Sequence, residues 1–215
     1  KDDAIIAISA ARKCGTDAIK FQLFRLPDIL IDPSQGDPRT VMPPEWVPDL
    51  AATCREHRID FVCTPFSAWA VEVLNPYVQM WKIGSFEHKR QDIWDACLAT
   101  RKPIIASMGR GPVPRATYRL SCVSKYPAPA EDIDLRFDDF CNGLSDHTTS
   151  TLIPALAVAR GARIIEKHFR LDGTPTDSPD YPHSLNPRQF AEMVDNIRLA
   201  ELTCWRQPPA ERILE

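Results

Sequence analysis

The sequence predicts an α/β protein of the TIM (β/α)8 barrel type, and three observations carry that expectation. Helical and strand-like segments alternate along the chain, as in a parallel sheet covered by helices. Polar residues follow almost every strand, where barrel enzymes build their sites. The chain holds only 8 glycines and has neither a G-x-G-x-x-G nor a G-x-x-x-x-G-K-[ST] run, the phosphate loops of doubly wound nucleotide-binding folds.

Each element has its own signal. Ala4, Ile5, Ile8 and Ala11 recur at helical spacing and stop at Gly15, after which residues 17–23 read as a buried strand. Trp46, Leu50, Cys54 and His57 form a second helical stripe after Pro43-Pro44, and residues 59–64 are a second strand closed by Pro65. Residues 71–74 suit a short helix before the strand 78–83, and residues 93–99 another before the strand 103–107. Residues 120–124, 141–144 and 162–165 bring the total to about seven strands, one short of a closed eight-stranded barrel and one more than a minimal doubly wound sheet needs. A last helix is marked by Asn186 as cap, Pro187 in its first turn and an apolar stripe of Phe190, Met193, Val194 and Ile197.

At 215 residues, 44% hydrophobic and 26% charged, the chain has the make-up of one soluble globular domain over residues 1–215. The net charge of -3 and the scattered lysines and arginines argue against nucleic acid or an acidic membrane as partner, and leave room for a small anionic ligand. Seven cysteines, odd in number, widely spaced and without a Cys-x-x-Cys, fit a reducing cytoplasm better than a disulfide framework. No signal peptide and no bilayer-length apolar run are present. The chain starts at Lys1 rather than Met, which leaves upstream residues an open matter.

The chemistry concentrates late in the chain. Ser145-Asp146-His147-Thr148 and Glu166-Lys167-His168-Phe169 each set one histidine beside charged residues at a strand end. Two neutral imidazoles facing one pocket would make half of a metal site; their spacing matches no compact zinc motif, and hydrogen-bonded structural histidines are the other reading. Lys20 and Lys82 sit inside apolar strands, where an ammonium without a partner is costly, so each asks for an anion. Serines after strands are turn formers or caps as readily as ligands.

In order along the chain, Lys20-Phe21-Gln22, Thr64-Pro65-Phe66, Lys82-Ile83-Gly84-Ser85-Phe86-Glu87, Lys102-Pro103-Ile104-Ile105, Tyr126-Pro127-Ala128-Pro129, Ser145-Asp146-His147-Thr148, Glu166-Lys167-His168-Phe169 and Pro179-Asp180 resemble the motifs of the sialic acid synthase family. That family includes N-acetylneuraminate, legionaminate and pseudaminate synthases and spore-coat polysaccharide proteins. The resemblance implies a TIM barrel that condenses phosphoenolpyruvate with the open-chain aldehyde of an N-acetylated amino sugar, giving a nine-carbon sugar acid and phosphate. It implies His147 and His168 as ligands of a divalent Mn or Mg ion. It implies Lys20, Lys82, Thr64, Ser85, Ser107 and Ser145 around phosphoenolpyruvate, Glu87 as an acid near the reacting carbons, and Tyr126 and Asp180 against the sugar. Gln22 and Ser124 join the substrate-binding candidates. Asp146 is a helix cap or a ligand-orienting group, and Glu166 with Lys167 an outer layer of the site or an ion pair beside it.

The resemblance also sets expectations of difference. The family's first strand has no counterpart here, the stretch 108–117 stands where a full covering helix is expected, and the connection 132–143 is short. The chain ends at Glu215 without the antifreeze-like C-terminal domain that in the family supplies an arginine to the sugar. An apolar flank bared by a reduced helix would be covered in a homo-oligomer. The alternatives to an active synthase are a degenerate homologue that binds a metal and an anionic ligand without turnover, and a related aldol-type enzyme with another aldehyde acceptor.

Overall fold

Seven α-helices and seven strands make up the described residues, 1–109, 116–139 and 141–204, of a computed structural model. Helix α1 (Asp2–Lys13) begins with two aspartates and ends with Arg12 and Lys13, charges that oppose its macrodipole at both ends. Gly15, at φ 82, takes the left-handed turn into β1 (Ala18–Leu23). A one-turn helix α2 (Leu26–Ile29) and three short 3-10 turns lead to α3 (Val47–His57), which buries Val47, Leu50, Ala51 and Cys54. There follow β2 (Asp60–Pro65), α4 (Ala68–Leu74), β3 (Trp81–Ile83), α5 (Gln91–Ala99), β4 (Ile104–Met108), β5 (Tyr118–Cys122), β6 (Gly143–Asp146), α6 (Ile153–Ala159), β7 (Ile164–Lys167) and α7 (Pro187–Cys204).

Every strand pair is parallel. One hydrogen-bonded ladder joins β1 to β2 and another runs β3-β4-β5-β6-β7, with β2 and β3 side by side. All of β4 and β6 and nearly all of β2 are buried, as expected of parallel strands covered on both faces. The sheet curls far enough for Lys20 on β1 to pair with Glu166 on β7 across its interior. Outside, α7 lies against both α6 and α1, and Phe190, Met193, Val194 and Ile197 pack with Cys14, Ala155 and Val158. The molecule is thus an α/β fold with a curled parallel sheet. No described helix is long and apolar enough to cross a membrane.

Several boundaries differ from the sequence expectation. β3 starts at Trp81 rather than 78, since Val78 and Met80 are buried in the turn that precedes it. β6 and β7 run further than their apolar runs, because Ser145, Asp146, Glu166 and Lys167 keep the ladder going. β5 spans Tyr118–Cys122, which leaves Ser124 beyond the strand. The sequence reading contained no helix at Ile153–Ala159; its buried face is Pro154, Ala155, Ala157 and Val158, small residues with a weak periodic signal. Between β4 and β5 lie residues 109–117, of which 110–115 fall outside the described residues, so the expectation for that stretch does too. Between β5 and β6 the described residues hold one 3-10 turn, Ala130–Asp132, and no α-helix. Residues 205–215, with the expected end at Glu215, also lie outside.

Candidate active site at the carboxyl ends of the strands

Side chains alternate across a strand, so register decides which of these residues meet. On β6 and β7, Ser145 stands opposite Glu166, and Asp146 opposite Lys167. The first pair faces the interior of the curl and the second the other way. Glu166 there becomes a hub. It accepts hydrogen bonds from Ser145 Oγ at 2.7 Å and Ser107 Oγ at 3.2 Å, and pairs with Lys82 Nζ at 3.2 Å and with Lys20 Nζ. Lys82 Nζ also donates to Ser107 Oγ at 2.8 Å and to the Ile83 carbonyl at 3.0 Å.

Burial pushes the Glu166 carboxyl up, but the Lys20 and Lys82 ammoniums and the Ser145 hydroxyl outweigh it and hold the group well below the usual carboxylate range. Burial pulls Lys82 down, and the Glu166 charge opposes the pull. Two cations thus share one carboxylate, a surplus of positive charge that suits an anionic ligand.

On the opposite face, Lys167 Nζ lies 2.6 Å from Asp146 Oδ2, both side chains fully buried, and also reaches the Thr148 carbonyl. Asp146 in turn accepts from the Thr148 amide at 2.9 Å. This buried ion pair ties together the ends of β6 and β7, which His147 and His168 directly follow, so Asp146 and Lys167 are partners of each other.

His147 and His168 directly follow β6 and β7, with ring centroids 5.3 Å apart. His147 Nδ1 donates to the Val123 carbonyl at 2.8 Å, which leaves Nε2 for a ligand. His168 Nδ1 contacts Asp180 Oδ2 at 3.1 Å. Burial lowers the pKa of both imidazoles, that of His147 to about 4, so both are neutral at pH 7, the state a metal needs. The donor set therefore fits a divalent cation.

Glu87 follows β3 in a 3-10 turn and is buried; burial pushes its carboxyl up. Its carboxylate lies over Gly84, where an added Cβ would come within 2.2 Å of Oε2. Thr64, at the end of β2, has a buried hydroxyl with no hydrogen-bond partner. Ser85 Oγ and the Tyr126 hydroxyl are 3.0 Å apart, and the Tyr126 ring lies 4.2 Å from His147 and 6.1 Å from His168. Gln22, half-buried, is opposite Thr64 in the β1-β2 ladder. Ser124 is exposed in the loop beyond β5, next to Val123, whose carbonyl accepts from His147.

One residue in this assembly escaped the sequence reading, and another was read only in part. Glu166 was visible only as one of a pair of charges, whereas register makes it the meeting point of both lysines. His183 was not singled out at all. It is buried, its ring centroid is 4.5 Å from that of His168, and neither ring nitrogen has a hydrogen-bond partner. A histidine closing the 3-10 turn Tyr181–His183, after a proline-containing stretch, carries no periodicity to reveal it.

With this geometry in view, comparison with known proteins is informative. The model of the NeuB family matches residues 7–206. MJ1065 of Methanocaldococcus jannaschii is 33% identical over 90% of this chain and 65% of its own length. The spore coat polysaccharide biosynthesis protein SpsE of Bacillus subtilis is 30% identical, covering 99% of this chain and 68% of its own. A pseudaminic acid synthase of Campylobacter jejuni is 32% identical, with 92% and 69% covered. The chain therefore spans about two thirds of the length of these relatives. Among solved structures, the SpsE crystal structure from Bacillus subtilis superposes with a TM-score of 0.79 over 98% of this chain and 67% of that one, at 29% identity. The N-acetylneuraminic acid synthetase of Leptospira borgpetersenii superposes with a TM-score of 0.80 over 98% and 82% at 23% identity, a likeness of fold. A family match over nearly the whole chain, with relatives of this identity and the same curled sheet, shows that the chain belongs to the NeuB family.

Proposed function

We propose that this chain condenses phosphoenolpyruvate with the open-chain aldehyde of an N-acetylated amino sugar, giving a nine-carbon sugar acid and inorganic phosphate. The observation that carries the reading is the convergence of Lys20 and Lys82 on the single carboxylate of Glu166, beside His147 and His168. A trianionic ligand is matched by ammonium groups and hydroxyl donors. Lys20 and Lys82 bind its phosphate and carboxylate, and Thr64, Ser85, Ser107, Ser145 and Gln22 complete the cradle. Thr64 supports this most plainly, since its buried hydroxyl otherwise goes unmatched.

In the reaction a carbon–carbon bond forms between the enol methylene and the aldehyde carbon, the aldehyde oxygen gains a proton, water adds at the former enol carbon, and phosphate leaves. Glu87 is the group to carry the proton, because burial favours its protonated form. Tyr126 and Asp180 border the sugar. His147 and His168 would hold the divalent ion, Mn or Mg, which when bound supplies Lewis acidity at the aldehyde oxygen. One relative is named for spore coat polysaccharide biosynthesis and another as a pseudaminic acid synthase, and we place this chain in related surface-glycan chemistry in the cytoplasm, as a homo-oligomer.

The test is product analysis by mass spectrometry after incubation with phosphoenolpyruvate, Mn and a panel of N-acetylated amino sugars. One sugar is expected to yield equal amounts of sugar acid and phosphate. Binding of metal and phosphoenolpyruvate with no product from any sugar would replace this reading by that of a non-catalytic, ligand-binding homologue.

A further inference from the structure

The chain after β7 folds back onto the end of that strand. Phe169 and Leu185 form a bridge, in which the Leu185 amide donates to the His168 carbonyl at 2.9 Å and the Arg170 amide to the Leu185 carbonyl at 3.0 Å. The bridge holds the 3-10 turn Tyr181–His183 beside His168. Side chains three apart in such a turn eclipse one another, so Asp180 at its start and His183 at its end present their polar atoms on one side. A carboxylate and two imidazoles therefore meet, and the ligand atoms of His168, Asp180 and His183 all lie within 4.8 Å of one another.

The separations suit atoms that share an ion. Asp180 Oδ2 is 3.1 Å from His168 Nδ1, and Asp180 Oδ1 is 3.6 Å from His183 Nε2, too long for a hydrogen bond. Ligands at bonds of about 2.1 Å stand about 3.0 to 3.4 Å apart in octahedral or tetrahedral coordination. His183 supplies an independent observation: it is 2% exposed, and neither ring nitrogen has a hydrogen-bond partner. Such atoms are costly to leave unmatched, and an ion matches them from a distance at which no larger ligand has to enter. Asp180 is exposed, which gives an ion its entry path. His147 stands apart, its ring centroid 6.3 Å from that of His183 and its Nδ1 bonded to the Val123 carbonyl.

We propose that His168, Asp180 and His183 form a zinc site that does not use His147. Two imidazoles and one carboxylate favour a borderline ion such as zinc over magnesium, which prefers an all-oxygen shell. A fourth position stays open for water. His168 is common to this site and to the pair His147 and His168, so zinc here competes with the ion of the proposed function. The inference rests on that reading for the competition alone.

The experiment is zinc binding by competition with a chromogenic chelator, for the full chain and for His183→Ala, His183→Gln and His147→Ala, together with X-ray absorption at the zinc edge of His147→Ala. Both His183 variants are expected to lose more than about 100-fold in zinc affinity, beyond the 10- to 100-fold typical of an outer partner. His147→Ala is expected to stay within about 3-fold of the wild type, because it removes no ligand. Its absorption spectrum, which needs no change at His183, is expected to count two imidazoles. One imidazole, a loss of about 100-fold or less in His183 variants that melt as the metal-free wild type does, an equal loss in His147→Ala, or no zinc bound would each overturn the inference. Phosphate release with Mn is scored separately: a zinc site of this composition without condensation would remove the synthase reading and leave this one standing.

Discussion

Replacing Glu166 by glutamine removes the one charge that Lys20 and Lys82 share, while keeping its shape. Because Lys82 is almost wholly buried, its ammonium would be left without a counter-charge. Such a break costs about 3–5 kcal/mol, so the urea midpoint of Glu166→Gln is expected to fall accordingly. Glu87 behaves oppositely. Its folded pKa is raised above the unfolded value, so the folded state keeps the proton longer, and stability is lost as pH rises from the ordinary glutamate value of 4.5 through the folded pKa. Glu87→Gln is therefore expected to match the wild type in stability at pH 4 and exceed it at pH 8, while turnover falls by about 10²- to 10⁴-fold. Equal stability differences at both pH values would show that the carboxyl does not pay this burial cost. At this scale the sequence showed which residues are costly to bury, Lys20 and Lys82 among them. It did not show their shared partner, because partners are set by strand register.

Strands position these groups, and two glycines separate the strand's role from the site's. At Gly143, on β6, an added Cβ would meet the Ile164 carbonyl of β7 at 2.4 Å and Leu120 Cδ2 at 2.5 Å. Backbone does not yield easily, so Gly143→Ala is expected to cost about 1–3 kcal/mol, read as a lower melting temperature, and to loosen metal binding as β6 and β7 part. At Gly84 the added atom would meet the end of the Glu87 side chain, which can swing away. Gly84→Ala is expected to lower turnover with a melting temperature within a few degrees of wild type; a large drop would mean that this turn is fixed by more than Glu87. The element order was legible from periodicity and from Pro43-Pro44, Gly15 and Asn186-Pro187. Strand ends were not, since Ser145-Asp146 and Glu166-Lys167 are polar residues that continue a ladder for the sake of buried ion pairs. Helix α6 was missed because alanines and one proline make its buried face.

At the scale of the whole molecule, α7 bridges α6 and α1 and so holds the first and last strands at the distance where Lys20 meets Glu166. Met193, 2% exposed in that seam, is expected to cost about 2–5 kcal/mol as Met193→Ala, with weaker phosphoenolpyruvate binding in the protein that remains folded. The alternation of helices and strands and the polar strand ends revealed the barrel-like class; the curl that joins Lys20 to Glu166 and gathers three histidines needs coordinates, because it depends on contacts between residues far apart in the chain. The measurement that bears most directly on the account is calorimetric titration of phosphoenolpyruvate into the wild type, Lys20→Met and Lys82→Met. Loss of a charged hydrogen bond worth about 1.5–3 kcal/mol predicts affinity about 10- to 100-fold weaker in each variant. Unchanged affinity in both, with the proteins folded, would contradict an anion site built on the two lysines.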